Sequence, residues 1–319
     1  MQAHNHRPPA AAARLFPPTP AGKELLRITH NMATPLHAVG LQIWRGALLL
    51  ADYVLARLSG MRGCVALELG AGNGVAGLVL AAQGAHRVFL TDTAVKDVLE
   101  RCQANADANA SRLGLGQQTV MVRQLDWLHP PPWLDAPANP GSTLLRQQQE
   151  QQQQHPNEGH QQCQQQQQQF AWELGEIDQS AHLDYILAAD CVYDDQLTRG
   201  LMETALRLMR RALRLSGRSP LLLVALEKRI NFTLEHLEVR APAYDYWRTL
   251  FTAVPELEIA APAAELAAGQ PSKPPARGVL PLVGRRVDDV QIPQQVLEYQ
   301  RTEYLECWEL TLAPDADGR

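Results

Sequence analysis

The sequence lacks any uninterrupted apolar run near the ~18 residues that suggest a membrane-spanning helix, so no membrane partner is expected. Its amino end has no apolar signal-peptide core. Cysteine is sparse. Cys64, Cys102, Cys163, Cys191 and Cys307 are odd in number, scattered and never in CxxC spacing, which argues against a disulfide framework or a zinc site. The expected setting is reducing, nucleus or cytoplasm. Residues 1–22 carry no acid and are rich in Ala and Pro. They read as a disordered leader, with an organelle transit peptide as the alternative. Positive charge is not in excess: 29 Lys and Arg face 34 Asp and Glu, a net charge of −5. That balance argues against direct nucleic-acid binding and favours a small molecule or a basic protein segment as partner. There is no internal repeat.

What is present centres on Val65-Ala-Leu-Glu-Leu-Gly-Ala-Gly-Asn-Gly-Val-Ala-Gly77, followed by Val88-Phe-Leu-Thr-Asp92. This reads as a buried strand, a glycine-rich turn, a helix start and a second strand ending in an acid. Such a unit places a nucleoside-bearing cofactor over the carboxyl edge of a parallel sheet.

Around it the pattern alternates. Leu41 to Leu58 is helical, with Leu41, Trp44, Leu48, Ala51, Leu55 and Leu58 at helical spacing. Strands are expected at 65–69, 87–91, 120–125, 183–189 and 221–226, and helices at 76–83, 95–110 and 197–213. The segment 233–251 has mixed helical character. Two final apolar runs, 295–300 and 304–312, suggest a hairpin. The expected fold is α/β, a doubly wound, seven-stranded, mostly parallel sheet whose C-terminal antiparallel hairpin puts a reversed strand at its edge. One domain spans 23–319. It is interrupted by a disordered Pro/Gln-rich insertion at 130–170 and an Ala/Pro-rich loop at 260–278, because polyglutamine cannot build a packed core.

Gly72-Asn-Gly74-Val-Ala-Gly77 formally fits a dinucleotide turn, with Asp92 twenty residues on. Three features point instead to S-adenosyl-L-methionine. Glu68 stands two residues before the first glycine, unwelcome beside a pyrophosphate but suited to a cationic ligand. Patterned helix precedes the turn. Nothing downstream suggests hydride transfer.

A set of further motifs carries a resemblance: Ile28-Thr-His-Asn-Met-Ala-Thr-Pro-Leu36, Gly40, Trp44-Arg-Gly-Ala-Leu-Leu-Leu-Ala-Asp-Tyr53, Leu125-Asp126-Trp127, Ala189-Asp-Cys-Val-Tyr193 and Glu227-Lys-Arg-Ile-Asn-Phe232. With the glycine turn, the chain resembles the seven-β-strand (class I) protein-lysine methyltransferases over most of residues 25–312. The resemblance implies that Trp44, Glu68, Gly70, Ala71, Gly72, Asn73, Gly74, Asp92, Asp126, Trp127 and Ala189 bind the cofactor. Asp92 would hold the ribose, Asp126 and Trp127 the adenine, and Trp44 the methionine end. It implies catalytic roles for Asp190, orienting the amine or receiving its proton, and for Tyr193, walling a lysine channel. Cys191 reads as packing rather than nucleophile. No metal is expected. The partner would be a protein carrying the target lysine, and the chain a monomer. Two alternatives stay open: transfer to nucleic acid or a small metabolite, and a non-catalytic cofactor-binding interaction protein.

Overall fold

The computed structural model describes residues 11–15, 26–32, 36–94, 97–116, 118–136, 169–233, 238–254 and 278–314. Its strands are β1 (Ala11–Leu15), β2 (Leu26–His30), β3 (Val65–Leu69), β4 (Arg87–Asp92), β5 (Val120–Gln124), β6 (Tyr185–Ala189), β7 (Leu221–Glu227), β8 (Asn231–Thr233), β9 (Glu238–Arg240), β10 (Thr252–Ala253), β11 (Leu282–Arg286) and β12 (Leu305–Leu312). The helices are α1 (Arg45–Ala56), α2 (Leu58–Met61), α3 (Val75–Ala82), α4 (Val98–Leu113), α5 (Leu174–Gln179), α6 (Asp195–Ser216) and α7 (Pro242–Arg248).

Short, continuous apolar runs make β3, β4, β6 and β7 strands buried on both faces, as an inner parallel sheet requires. They lie in an eight-stranded sheet of order β10-β11-β12-β7-β6-β3-β4-β5. The pairings make β12 the one strand that runs against the rest of this sheet. One face is covered by α1, α3 and α4, whose Leu50, Val54, Leu80 and Cys102 meet β3 and β4 in one core. The other is covered by α6 and α7, where Met202, Met209 and Trp247 pack on Ile186, Val224 and Trp308. The doubly wound, mostly parallel architecture expected from the sequence is therefore present, with β10 as an added two-residue edge.

Four expectations need correction. The strand predicted at 295–300 does not form. Its backbone is taken by Asp52 of α1, whose carboxylate accepts from Gln295 N and Val296 N at 2.7 Å each, from Tyr299 OH at 2.8 Å and from Arg301 Nη2 at 2.6 Å. A fully buried acid with four donors replaces a strand partner. Consequently β12 pairs with β11 instead, and the reversed strand sits between β11 and β7 rather than at the edge. Thirdly, the leader at 1–22 is not wholly unstructured, since β1 pairs antiparallel with β2.

The fourth concerns the insertion. Residues 137–168, with Cys163, lie outside the described residues, as does most of the 260–278 loop. The flanks, however, belong to the core. Trp133, Leu134 and Phe170 are buried, and the Trp133 and Trp172 rings meet at 5.1 Å. Buried Arg211 of α6 donates to the carbonyls of Trp133, Ala136 and Ile177, clasping both stems. Aromatic rings with hydrogen-bonded neighbours, unlike glutamine, have area to bury.

The segment before α1 is held by a device that the sequence reading missed. Asn105 and Asn109, one turn apart on α4, receive Thr29 N and Arg27 N and donate back to the same two carbonyls. Two side-chain amides thus imitate a strand ladder along β2. This fixes the path that brings Gly40 over the glycine turn.

Candidate functional site

Gly70, Gly72 and Gly74 follow β3 with φ of 67°, 52° and 77°, a left-handed series that turns the chain sharply into α3. At Gly72 the need is steric as well as conformational, because a Cβ there would lie 2.7 Å from the Gly40 carbonyl oxygen. Ala71 N donates to Thr91 O, locking the turn beside β4. The result is a close-packed glycine cradle at the carboxyl edge of β3, β4 and β6, where cofactors sit in such sheets.

Asp92 stands beside this cradle. Its Oδ2 accepts from Gly72 N at 2.9 Å and its Oδ1 from Thr93 N at 2.8 Å. A carboxylate has about four acceptor positions, so about two are left for a hydroxyl pair. Burial raises its pKa to about 6 even though both N–H groups pull it down.

Glu68 is corrected. It does not face the cradle. It lies beneath the turn, 1% exposed, with Oε2 accepting from Gly77 N at 2.8 Å. Burial first, and the field of Asp92 after it, raise its pKa to about 8 against the pull of that N–H. It shapes the start of α3 and offers almost no surface to a cationic ligand. Asn73 is likewise turned inward. Its amide donates to Gly40 O and Gln42 O, pinning the covering segment.

The Trp127 ring reaches the turn from the end of β5. A Cβ on Gly70 would come 3.0 Å from it, and its indole N–H is buried without a partner. Asp126 makes a local cap, accepting from Leu128 N at 2.8 Å and pairing with His129 Nδ1 at 3.0 Å. Partial burial raises its pKa, but these donors outweigh it and leave the carboxyl below its usual range.

On the β6 side, Asp190 is also corrected. Its side chain is 2% exposed. Its Oδ2 accepts from Gly46 N in the first turn of α1 at 2.5 Å, and its Oδ1 from Glu227 N at 2.7 Å. Burial raises its pKa, partly offset by Glu227 N, Arg229 and Gly46 N. Asp190 thus ties α1, β6 and β7 together, and at 2% exposure it offers almost no surface to an amine. It caps α1, while the helix that follows it is capped by Asp194. Its φ of 54° turns the chain after Ala189, a conformation Asp tolerates better than most residues. Tyr193 then emerges 41% exposed. Burial, followed by Cys191, Asp92 and Asp194, pushes its phenol up to about 12, so it is neutral at ordinary pH. Cys191 is buried against Gly70 with its thiol pKa well raised by burial, consistent with packing.

Trp44 precedes α1 and donates its indole N–H to Val39 O at 3.0 Å. Arg229, unassigned in the sequence reading, lies with its guanidinium 4.4 Å from the Trp44 ring and 3.8 Å from Asp190. Its position directly after β7, next to a Glu-Lys pair, was the available signal. Elsewhere, a cavity of about 400 Å³ between α4 and β5 is lined by Gln103, Ala106, Asp107, Val122 and Arg123 and contains none of these groups. Among the described residues no cluster of His, Cys, Asp or Glu is arranged to hold a metal.

A parallel sheet with a left-handed glycine cradle, an acid with spare acceptors beside it and an unpartnered indole N–H next to the turn define an α/β protein built to bind a nucleoside-type cofactor. Comparison narrows this. A model of the lysine methyltransferase family matches residues 22–135 and 148–239, and the chain belongs to that family. It is 37% identical over 292 residues to methyltransferase-like protein 22 of Homo sapiens, covering 91% of this chain and 58% of that protein. The Mus musculus counterpart is 35% identical over 293 residues, covering 92% and 60%. EEF1A lysine methyltransferase 3 of Mus musculus is 40% identical over 84 residues, 26% of this chain and 34% of that one. The chain thus spans about three-fifths of the length of these two methyltransferase-like proteins.

Proposed function

We propose that this chain transfers the methyl group of S-adenosylmethionine to a lysine side chain of a protein. Family membership supports the reaction class. The observation that carries the cofactor is Asp92, held by Gly72 N and Thr93 N with acceptor positions to spare beside the left-handed glycine turn. Trp127, with its unpartnered N–H, fits a purine next to Gly70. Trp44 closes the opposite end.

When bound, the cofactor supplies an electrophilic methyl on a sulfonium. The chain's part is binding and alignment. A lysine amine has an unperturbed pKa of about 10.4, so the site must favour the neutral form. Tyr193 supplies a neutral aromatic wall at the mouth, and an aromatic face also suits the methylated cation formed. Asp190 acts as a positioning residue: by capping α1 it sets where Trp44 and Tyr193 stand relative to each other. Positioning of this kind can contribute a large share of a rate.

Calorimetry with S-adenosylhomocysteine and with NAD tests the cofactor; tighter binding of NAD would overturn it. Labelled S-adenosylmethionine with a native lysate, read by mass spectrometry, tests the acceptor. Label in RNA, or in protein as methylarginine, would overturn lysine. Tyr193→Ala should lower turnover while cofactor affinity holds, and Tyr193→Phe should recover most of it.

A further inference from the structure

Four ion pairs gather around Asp190 and the end of β7, and all have the same polarity. Arg45 pairs with Glu227 at 3.0 Å, Lys228 with Glu306 at 2.6 Å, Arg286 with the same Glu306 at 3.5 Å, and Arg229 with Asp190 at 3.8 Å. The basic side chains are 41%, 22%, 32% and 35% exposed, whereas the acids are 16%, 2%, 2% and 2% exposed. Four cations stand outside three carboxylates, two of them buried, and one of those two already accepts two backbone N–H groups. The surface presented is therefore positive, although the chain carries −5 overall. Two of the cations are also held on aromatic faces, Arg229 on Trp44 and Lys228 at 4.5 Å from the Tyr244 ring, which pre-organises them. Exposed Ile230 follows Arg229 directly, and exposed Tyr304 receives Lys228 N on its carbonyl, so both offer apolar contacts beside them.

We infer that this rim docks an acidic stretch of the substrate protein, gripping Asp or Glu residues that flank the target lysine. The inference rests on the lysine-acceptor reading above. Its chemical logic is that a site which held the substrate by the lysine's own charge would stabilise the unreactive ammonium. Holding neighbouring carboxylates binds the substrate without that penalty. A nucleic-acid strand fits less well, since the rim's surplus of positive charge is small beside the many phosphates such a strand presents.

The test uses the full chain saturated with S-adenosylhomocysteine and short fluorescent peptides bearing one central lysine, flanked by Asp and Glu, by Ser and Gly, or by Arg. Acidic flanks should bind about tenfold tighter than neutral ones, and the gain should shrink as salt rises. Arg229→Gln and Arg45→Gln should each reduce the gain, and Arg229→Glu should remove most of it. Thermal unfolding checks that each variant is folded, and the peptide series on the unaltered chain stands without them. Equal binding of acidic and neutral peptides would overturn the proposal. So would a preference that survives Arg229→Glu in folded protein, or tighter binding of a single-stranded RNA oligomer. Replacing the central lysine by alanine separates the two readings. Acidic peptides that bind without ever being methylated would sink the lysine acceptor and leave the docking rim. Methylation indifferent to flanking charge would do the reverse.

Discussion

Along the β3–β4 half of the sheet edge, carboxylates are held by backbone N–H groups of the adjoining turn: Glu68 by Gly77, Asp92 by Gly72 and Thr93. Along the β7–β12 half they are held by side chains. Glu306 accepts from Lys228, Tyr244 and Trp308, Glu309 from Tyr53 and Arg285, and Asp52 from Tyr299 and Arg301 as well as two N–H groups. The first half draws on residues 68 to 93, one contiguous stretch. The second joins residues as distant as 52 and 301. A backbone-held acid depends on a local turn, while a side-chain-held acid depends on several far segments arriving together. The first half suits a small ligand; the second braces the wall against which a larger substrate would press.

Substitution at the braces should have the largest effect. Asp52→Ala strands Arg301 and two backbone donors and should cost about 3–5 kcal/mol in chemical denaturation, the usual result of removing one partner from a buried ion pair. Trp133→Ala should cost a similar ~3–5 kcal/mol by opening a cavity under Arg211. A loss below about 1 kcal/mol for Asp52→Ala would remove the distinction between the halves.

Next comes the pH dependence of the backbone-held half. Glu68 has a folded pKa of about 8, above its unfolded value, so its stability contribution is full at low pH and lost as pH rises. Unfolding free energy should fall by about 2–3 kcal/mol between pH 5 and pH 7 on its account, at about 1.4 kcal/mol per unit. Asp92, raised to about 6, adds to the fall in the lower part of that range. Glu68→Gln should flatten the profile. An unchanged slope would place the titration elsewhere.

A smaller effect is expected on binding. Asp92→Ala should weaken S-adenosylhomocysteine by about 1.5–3 kcal/mol in calorimetry, the loss expected for hydrogen bonds to a charged group. Smallest of all is the insertion. Replacing 137–168 with a short Gly/Ser linker should change stability by no more than about 0.5 kcal/mol, because closure entropy varies slowly with loop length. A large drop in melting temperature would mean that the segment packs on the domain.

Contiguous residues sufficed for the β3 boundaries, the glycine turn, the place of Asp92 at the end of β4 and the alternation that implies a doubly wound sheet. Strand and helix periods and left-handed turns are properties of neighbouring residues, so they can be read along the chain. The residues that approach the cradle were legible too, but not the direction of their side chains. Glu68 and Asp190 were expected to face ligand and substrate; Gly77, Gly46 and Glu227 claimed them instead. The run at 295–300 has strand-like alternation, yet Asp52 took its N–H groups. Arg211 and the Asn105–Asn109 ladder carry no signal in their own neighbourhood. Each of these outcomes turns on a buried polar group, which must be satisfied by whichever donors or acceptors packing brings within about 3 Å. Those partners lie up to some 250 positions away along the chain, and only the folded molecule chooses among them.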